Sequence, residues 1–455
     1  MIQYITEEIK NKNMNKFNLV YNRWDQITGE RIPNGGTEIG MVERCWDGSG
    51  LLRHFISNGN NCLSDMFELE FFKLEDVYSN RDKKFYYIID HGRIDLKESF
   101  DINKIFDTEK DPPFDKVYEK TSLLNEDVIK CFKECDNLRI MYITEHEPDD
   151  EIGFITLVDY LRKKGIENDR IYVMNNNSNL ELLKAKYNTN INVRTLKFIP
   201  FSCILAFDVI KSEYNPNKAG KFFMCHNKGP KIHRILLLSL FRKMNLLDNI
   251  NWSYIPPYRV HTGIRNFIEH FNISDLYPIL DDLEYIIKLN IKVGDYEKNR
   301  NWFNEAYKEF SVQLPMHVLI PEDRETLENS YVNIVTESSY LNSNINVVHI
   351  TEKSIRPFYF HQIPIILATP NHVKTLREKF NLDMFDDIVD HSYDNEFDDK
   401  KRIFILANEI ERLDENKESI IEFYKNNKQR FEDNKNKILK ILSDREDYHY
   451  FKNLI

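Results

Sequence analysis

The chain has 455 residues, a formal charge of −11 from abundant charges of both signs, and 30 Phe and 24 Tyr to fill its cores. That length exceeds one ordinary core and predicts two domains, and the aromatic content excludes a disordered chain. The acidic balance disfavours unguided binding to nucleic acid or anionic lipid, leaving only a local basic cleft for such partners.

The N-terminal segment MIQYITEEIKNKNMNKF is interrupted by charges and lacks the apolar stretch of a secretion signal. Fully apolar runs last only a few residues, as at 235–238, so no transmembrane segment is expected and the protein is placed in the cytoplasm. Within residues 1–130 the pieces FNLVY and KFYYIIDHG read as strands among polar loops. Residues 34–46, NGGTEIGMVERCW, hold a glycine pair that suits a close approach to a ligand or, more simply, a turn. Cys131 and Cys135 share an expected helix, but no second Cys or His pair completes a zinc site. Six cysteines are too sparse for a disulfide framework and fit a reducing cytosol.

From Asn137 the pattern turns regular. LRIMYITE is a continuous apolar strand, EIGFITLVDYLRKKG an amphipathic helix closed by glycine, and RIYVMNNN a second strand. LELLKAKYN is a short helix and VRTLKFIPF a third strand. Strands alternating with helices of this length predict a parallel sheet with helices on its faces. The turn at Asn215-Pro216-Asn217 sets a boundary between a first domain of residues 1–215 and a second of residues 216–455. The second series opens with the strand KFFMCHN, a KGPK turn and the helix IHRILLLSLFRKMNLLDN, apolar on most faces and hence buried. NWSYIP is the next strand, residues 274–310 are helical, and PMHVLIP, VNIVTES, NVVHI and PIILAT supply further strands. Between residues 413 and 442, Ile420, Ile421, Tyr424, Phe431, Ile438 and Leu439 recur at helical spacing and predict one long amphipathic helix. The expected fold class is α/β: two Rossmann-like domains facing across a cleft, with ligands at the carboxyl ends of the strands.

Four polar clusters fall at such ends: residues 145–150, residues 227–231, Glu337, and Glu352-Lys353. Thr351-Glu352-Lys353 stands where a helix should begin. Unpaired N–H groups and the positive end of the dipole suit a phosphate there, and the lysine adds charge for a diphosphate. The carboxylate of Glu352 can accept hydrogen bonds from ribose hydroxyls. Taken alone, the tripeptide is better explained as a surface helix capped by Thr351; the flanking clusters carry the ligand reading. In TEHEPDDE, Glu145, Glu147 or Asp149 can supply a catalytic base, although a solvated acidic turn is the commoner use of such a run. His361 is expected to be structural in its turn, and His233 is open to either role.

Residues 332–369, VNIVTESSYLNSNINVVHITEKSIRPFYFHQIPIILAT, resemble the donor-binding half of GT-B glycosyltransferases, with the pattern of the α1,3-fucosyltransferase-like enzymes. The shared features are an acidic residue after one strand, a Thr-Glu-Lys opening a helix, and Ile-Pro before an apolar strand. GKFFMCHNKGPKIHRILLLSLFRKMNLLDN resembles the first strand, loop and helix of that same domain. A looser set of viral and bacterial glycosyltransferase-like proteins shares the block around Thr-Glu-Lys. The resemblance spans residues 220–369. It implies that Arg234 contacts the donor diphosphate from a helix N-terminus and that Lys353 holds the phosphates from the other side. It further implies that Glu352 binds ribose hydroxyls, Glu337 orients the sugar and Asn227 shapes the loop, with Lys228, Lys231 and His233 nearby. Two departures stand out. His349-Ile350 replaces the family's Gly-Tyr before Thr-Glu-Lys, and the helix continues with Arg356-Pro357.

The expected activity is transfer of a sugar from a nucleotide-diphosphate-sugar donor to an acceptor hydroxyl on a glycan or another molecule. No metal and no cofactor beyond that donor are expected, because no Asp-x-Asp follows an apolar strand and Arg and Lys can neutralise the phosphates. A hydroxymethylated DNA base is an alternative acceptor. A non-catalytic nucleotide- or glycan-binding protein of the same fold is the alternative from another class. A Rossmann oxidoreductase is disfavoured, since no G-x-G-x-x-G follows a strand.

Overall fold

The computed structural model describes residues 16–21, 68–90, 124, 126–143, 151–175, 177–196, 212–227, 231–254, 280–287, 324–340, 347–444 and 446–454. The glycine pair of residues 34–46, the strand PMHVLIP, Lys228, and Glu145, Glu147 and Asp149 lie outside them. The chain is α/β with two parallel sheets, and its contacts divide it into two compact units. The first takes in Met1–Lys197, Val312–Pro315 and Glu446–Ile455; the second takes in Phe198–Ser311 and Met316–Arg445.

The first sheet contains β1 (Lys16–Tyr21), β2 (Glu68–Lys73), β3 (Phe85–Asp90), β4 (Leu138–Ile143), β5 (Ile171–Asn175) and β6 (Asn192–Thr195) in the order β2-β1-β3-β4-β5-β6. Every pairing is parallel. Helices α1 (Leu74–Ser79), α2 (Glu126–Glu134), α3 (Glu151–Lys163) and α4 (Leu180–Lys186) accompany it. Past Arg139 the run of β4 is apolar because both of its faces are covered. Leu138, Ile140 and Tyr142 join Val128, Phe132, Phe154, Leu157 and Leu161 in one core. Met141 and Tyr86, on the other face, are equally buried. Helix α3 ends as its glycine predicts. Gly165 takes φ +65, its N–H donates to Arg162, and the Ile166 N–H donates to Leu161, closing a left-handed C-terminal cap. Cys131 and Cys135 are buried free thiols, and burial pushes the Cys131 thiol up to about 12, so it is an inert core group.

The second sheet contains β7 (Phe223–His226), β8 (Ile250–Ser253), β9 (Val332–Thr336) and β10 (Ile363–Leu367) in the order β10-β9-β7-β8, again all parallel. Helix α5 (Ile232–Lys243) follows β7 and buries Leu236, Leu237, Leu238 and Phe241, as its apolar faces require. Helix α6 (Leu280–Ile287) packs on α5, with Arg242 paired to Asp282 at 2.7 Å. Helix α7 (Arg324–Asn329) leads into β9, α8 (Glu352–Tyr359) links β9 to β10, and α9 (His372–Lys379) follows β10. NVVHI, expected as a strand, is not one. Among its described residues only His349 makes a bridge, while Val347, Val348 and Ile350 bury as cover. Strand β9 already has a partner on each side, so these residues do not pair beside it in the sheet.

The expected single C-terminal helix is instead a series: α10 (Asp399–Glu415), α11 (Lys417–Asn426), α12 (Lys428–Asp444) and α13 (Glu446–Leu454). Two asparagines interrupt it. The side-chain amide of Asn416 donates to the Arg412 carbonyl at 2.7 Å, and that of Asn427 to the Phe423 carbonyl at 2.8 Å. Such bonds compete with helix continuation. The apolar positions hold as expected: Ile420, Tyr424, Phe431 and Ile438 are buried in the second unit's core. Helix α13 packs with the first unit instead, whereas the sequence places all of 216–455 in the second domain. Phe451 meets the Phe17 ring edge-on at 6.5 Å, Asp447 pairs with Arg194 at 3.1 Å, and the Tyr86 hydroxyl donates to the Leu454 carbonyl. No helix among the described residues is long and apolar enough to cross a membrane.

Candidate functional site

In the second sheet β7 connects outward to β8 and the chain then returns to β9 on the other side of β7. The carboxyl ends of β7 and β9 therefore flank a topological switch point, where open parallel sheets bind ligands. Most of the residues picked out by sequence in this unit gather there.

Asn227 ends β7 and is buried. Its N–H donates to Ser253 Oγ at 3.0 Å, that hydroxyl returns a bond to the Asn227 carbonyl at 3.2 Å, and its Oδ1 accepts from Thr336 Oγ1. It thus ties the ends of β7, β8 and β9 together.

The start of α5 grips the end of β9. Lys231, its N-cap residue, donates from Nζ to the Ser338 carbonyl at 2.9 Å. The Nε2 of His233 bonds the Glu337 carbonyl at 2.9 Å, and Arg234 donates from Nη2 to the Thr336 carbonyl at 3.1 Å. Three successive carbonyls of the β9 end are held by three basic residues of one helix start. Burial, with Arg234 and Lys231 alongside, drives the His233 imidazole well below its ordinary value, so it is neutral and donates through Nε2–H. Its ring also stacks on Tyr340 at 4.8 Å. Arg234 is only 4% exposed.

Glu337 is the electrostatic centre. It is fully buried, and burial alone would raise its carboxyl, but Lys353, His372, His349 and the Ser354 hydroxyl hold it down to about 2. Its oxygens accept from Thr351 Oγ1 at 2.8 Å each, from Ser354 Oγ at 2.5 Å, and from the Ser338 N–H at 3.2 Å. Thr351 caps α8, its Oγ1 accepting from the Lys353 N–H at 3.2 Å. The Lys353 ammonium lies 3.1 Å from Glu352, and the side chains of both remain a quarter exposed. Burial would lower the Lys353 amine, but Glu352 and Glu337 outweigh it and raise it; Arg234 is near enough to oppose that rise. The guanidinium and the ammonium thus flank the same strand end, the first buried and the second on a side chain that is a quarter exposed.

Two residues of this cluster escaped the sequence reading. Ser354 sits one turn past the N-cap, on the face turned to β9, a spacing that could have been read. His372 opens α9, and its Nε2 meets Ser354 Oγ at 2.8 Å. It obeys the same rule of helix starts after strands, but it lies just past the segment that carries the resemblance. Among the described residues no group of three His, Cys, Asp or Glu gathers as a metal site.

A surface concavity on this unit, lined by Arg377, Asp386, His391 and Arg412 among others, has its main charges already paired. Arg377 pairs with Asp386 and Arg412 with Glu409. No protein-family model matches the chain, and no curated protein does so either.

Proposed function

We propose that this chain is a GT-B-type glycosyltransferase that moves a sugar from a nucleotide-diphosphate-sugar donor to an acceptor hydroxyl. In this reading the second unit binds the donor and the first binds the acceptor. The observation that carries it is the convergence of Lys353 and Arg234 on one strand end at the switch point, beside the first turn of α8. The N–H groups of that turn and the Lys353 ammonium take the diphosphate, and Glu352, released from Lys353, accepts from the ribose hydroxyls. The charge developing on the departing diphosphate is stabilised by groups already in place, so they need no rearrangement in the transition state. Arg234, bound to the Thr336 carbonyl, adds its positive field from within the fold. The acceptor's proton goes to a carboxylate of the first unit, for which Glu145, Glu147 and Asp149 are the candidates. The acceptor is a glycan hydroxyl in this reading, with a hydroxymethylated DNA base as the alternative.

A thermal-shift panel of UDP, GDP, CMP and TDP sugars tests the donor site. A diphosphate donor at a hundred times its Kd stabilises the fold by about 2.7 kcal/mol through mass action. One diphosphate series should raise the melting temperature while the CMP sugar does not; a flat response to all four excludes the reading.

A further inference from the structure

Resting on that phosphate reading, we propose that Ser354 and His372 are positioning residues for Lys353, acting through Glu337, which itself touches no donor atom. Three side chains from three elements form one chain: Glu337 at the end of β9, Ser354 in the first turn of α8, and His372 at the start of α9. All three are 0% exposed.

The direction of the chain follows from proton counting. An ionised carboxylate only accepts, so the single hydroxyl proton of Ser354 goes to Glu337 Oε1. The 2.8 Å contact between Ser354 Oγ and His372 Nε2 is then an Nε2–H donation. Nδ1 of His372 carries the lone pair, in keeping with its having no hydrogen-bond partner among the described residues. Burial lowers the basicity of this imidazole more than Glu337 and Asp394 raise it, which keeps the ring neutral.

The consequence is geometric. Thr351 Oγ1 gives its proton to the same carboxylate while accepting from the Lys353 N–H. Glu337 therefore holds the first turn of α8 at two points, Thr351 and Ser354, which flank Lys353. His372 fixes the second of these points from the neighbouring helix. The direction in which Lys353 leaves the backbone, and the aim of the N–H groups beside it, are set before any ligand arrives. Preorganisation of this kind enters directly into affinity for a charged group.

The test is calorimetric titration of inorganic pyrophosphate into the full chain, at a temperature where circular dichroism shows each variant folded. Wild type should bind, and Lys353→Ala should lose binding. Ser354→Ala and His372→Leu should each weaken binding about tenfold, the loss of one hydrogen bond to a charged network. His372→Gln, which returns an N–H near the Nε2 position, should recover most of it. A merely structural role would lower the melting temperature and leave the affinity of the folded protein unchanged. Wild-type affinity in both Ser354→Ala and His372→Leu overturns the positioning role while leaving the phosphate site standing. Absence of binding by wild type removes the phosphate reading and the positioning role together.

Discussion

Replacing Glu337 by Gln probes the buried centre of the site most sharply. The substitution keeps the shape and one acceptor oxygen for Ser354 and Thr351. It removes the charge that faces Lys353 and turns an amide toward the Ser338 N–H, which now has no acceptor. The carboxyl stands at about 2 in the fold against an ordinary 4.5, a gap equivalent to roughly 3 kcal/mol at neutral pH. Because the folded value is the depressed one, this contribution is fully present above 4.5 and is lost as the pH falls toward 2. Urea unfolding followed by circular dichroism at pH 7, 5.5, 4 and 3 reads it directly. Glu337→Gln should unfold at about 1 M lower urea or more at pH 7, for a slope of about 1–3 kcal/mol per molar. The difference should hold to pH 5.5 and shrink to roughly half by pH 3. Equal midpoints at pH 7, or a difference that does not change with pH, would refute the electrostatic account.

Lys353→Ala and Arg234→Ala should both lose affinity and stability, for different reasons. The former is expected to lose diphosphate affinity and, because Lys353 leads the groups that hold buried Glu337 ionised, part of the stability tied to that carboxylate, a loss that shrinks as the pH falls toward 3. The latter should lose affinity and also stability, by about 1–3 kcal/mol, since its buried guanidinium holds the Thr336 carbonyl; paired binding and melting measurements check both. Lys218 is held by the Glu328 and Phe360 carbonyls at 3.1 and 3.2 Å, and burial lowers its amine to about 7. Its depressed value means the cost of burying the charge is full below pH 7 and is relieved between 7 and 10.5. Wild type should therefore gain on Lys218→Met as the pH rises from 6 to 10; a constant difference in melting temperature contradicts this. Phe451→Ala should cost the first unit about 3–5 kcal/mol, seen as faster hydrogen exchange in β1 and β3 with β9 and β10 unchanged.

The strands from Leu138 onward were readable because an unbroken apolar run, a glycine-closed helix and another apolar run leave few alternatives. Strand β2 was harder to see: ELEFFK mixes acidic and aromatic residues, and its partner β1 lies more than forty residues earlier. The breaks at Asn416 and Asn427 were hidden because asparagine side chains end a turn locally without disturbing the apolar spacing that signals a helix. The return of Glu446–Leu454 to the first unit is a tertiary choice made by Phe451 and Asp447, and no local pattern encodes it. In the candidate site, Glu337 and Thr351 stood out from their places at expected strand ends, and Arg234 only through the resemblance. That Glu337 is fully buried was not legible, because an acidic residue after a strand looks the same whether it is buried or exposed.

The central claim is that the basic strand end of the second unit holds a nucleotide diphosphate whose sugar is transferred. Chromatography of nucleotide released from UDP, GDP and TDP sugars, without added acceptor, tests it most directly. Wild type should slowly liberate one nucleoside diphosphate, and Lys353→Ala should abolish that release. No release from any donor, or equal release by the two proteins, would contradict it.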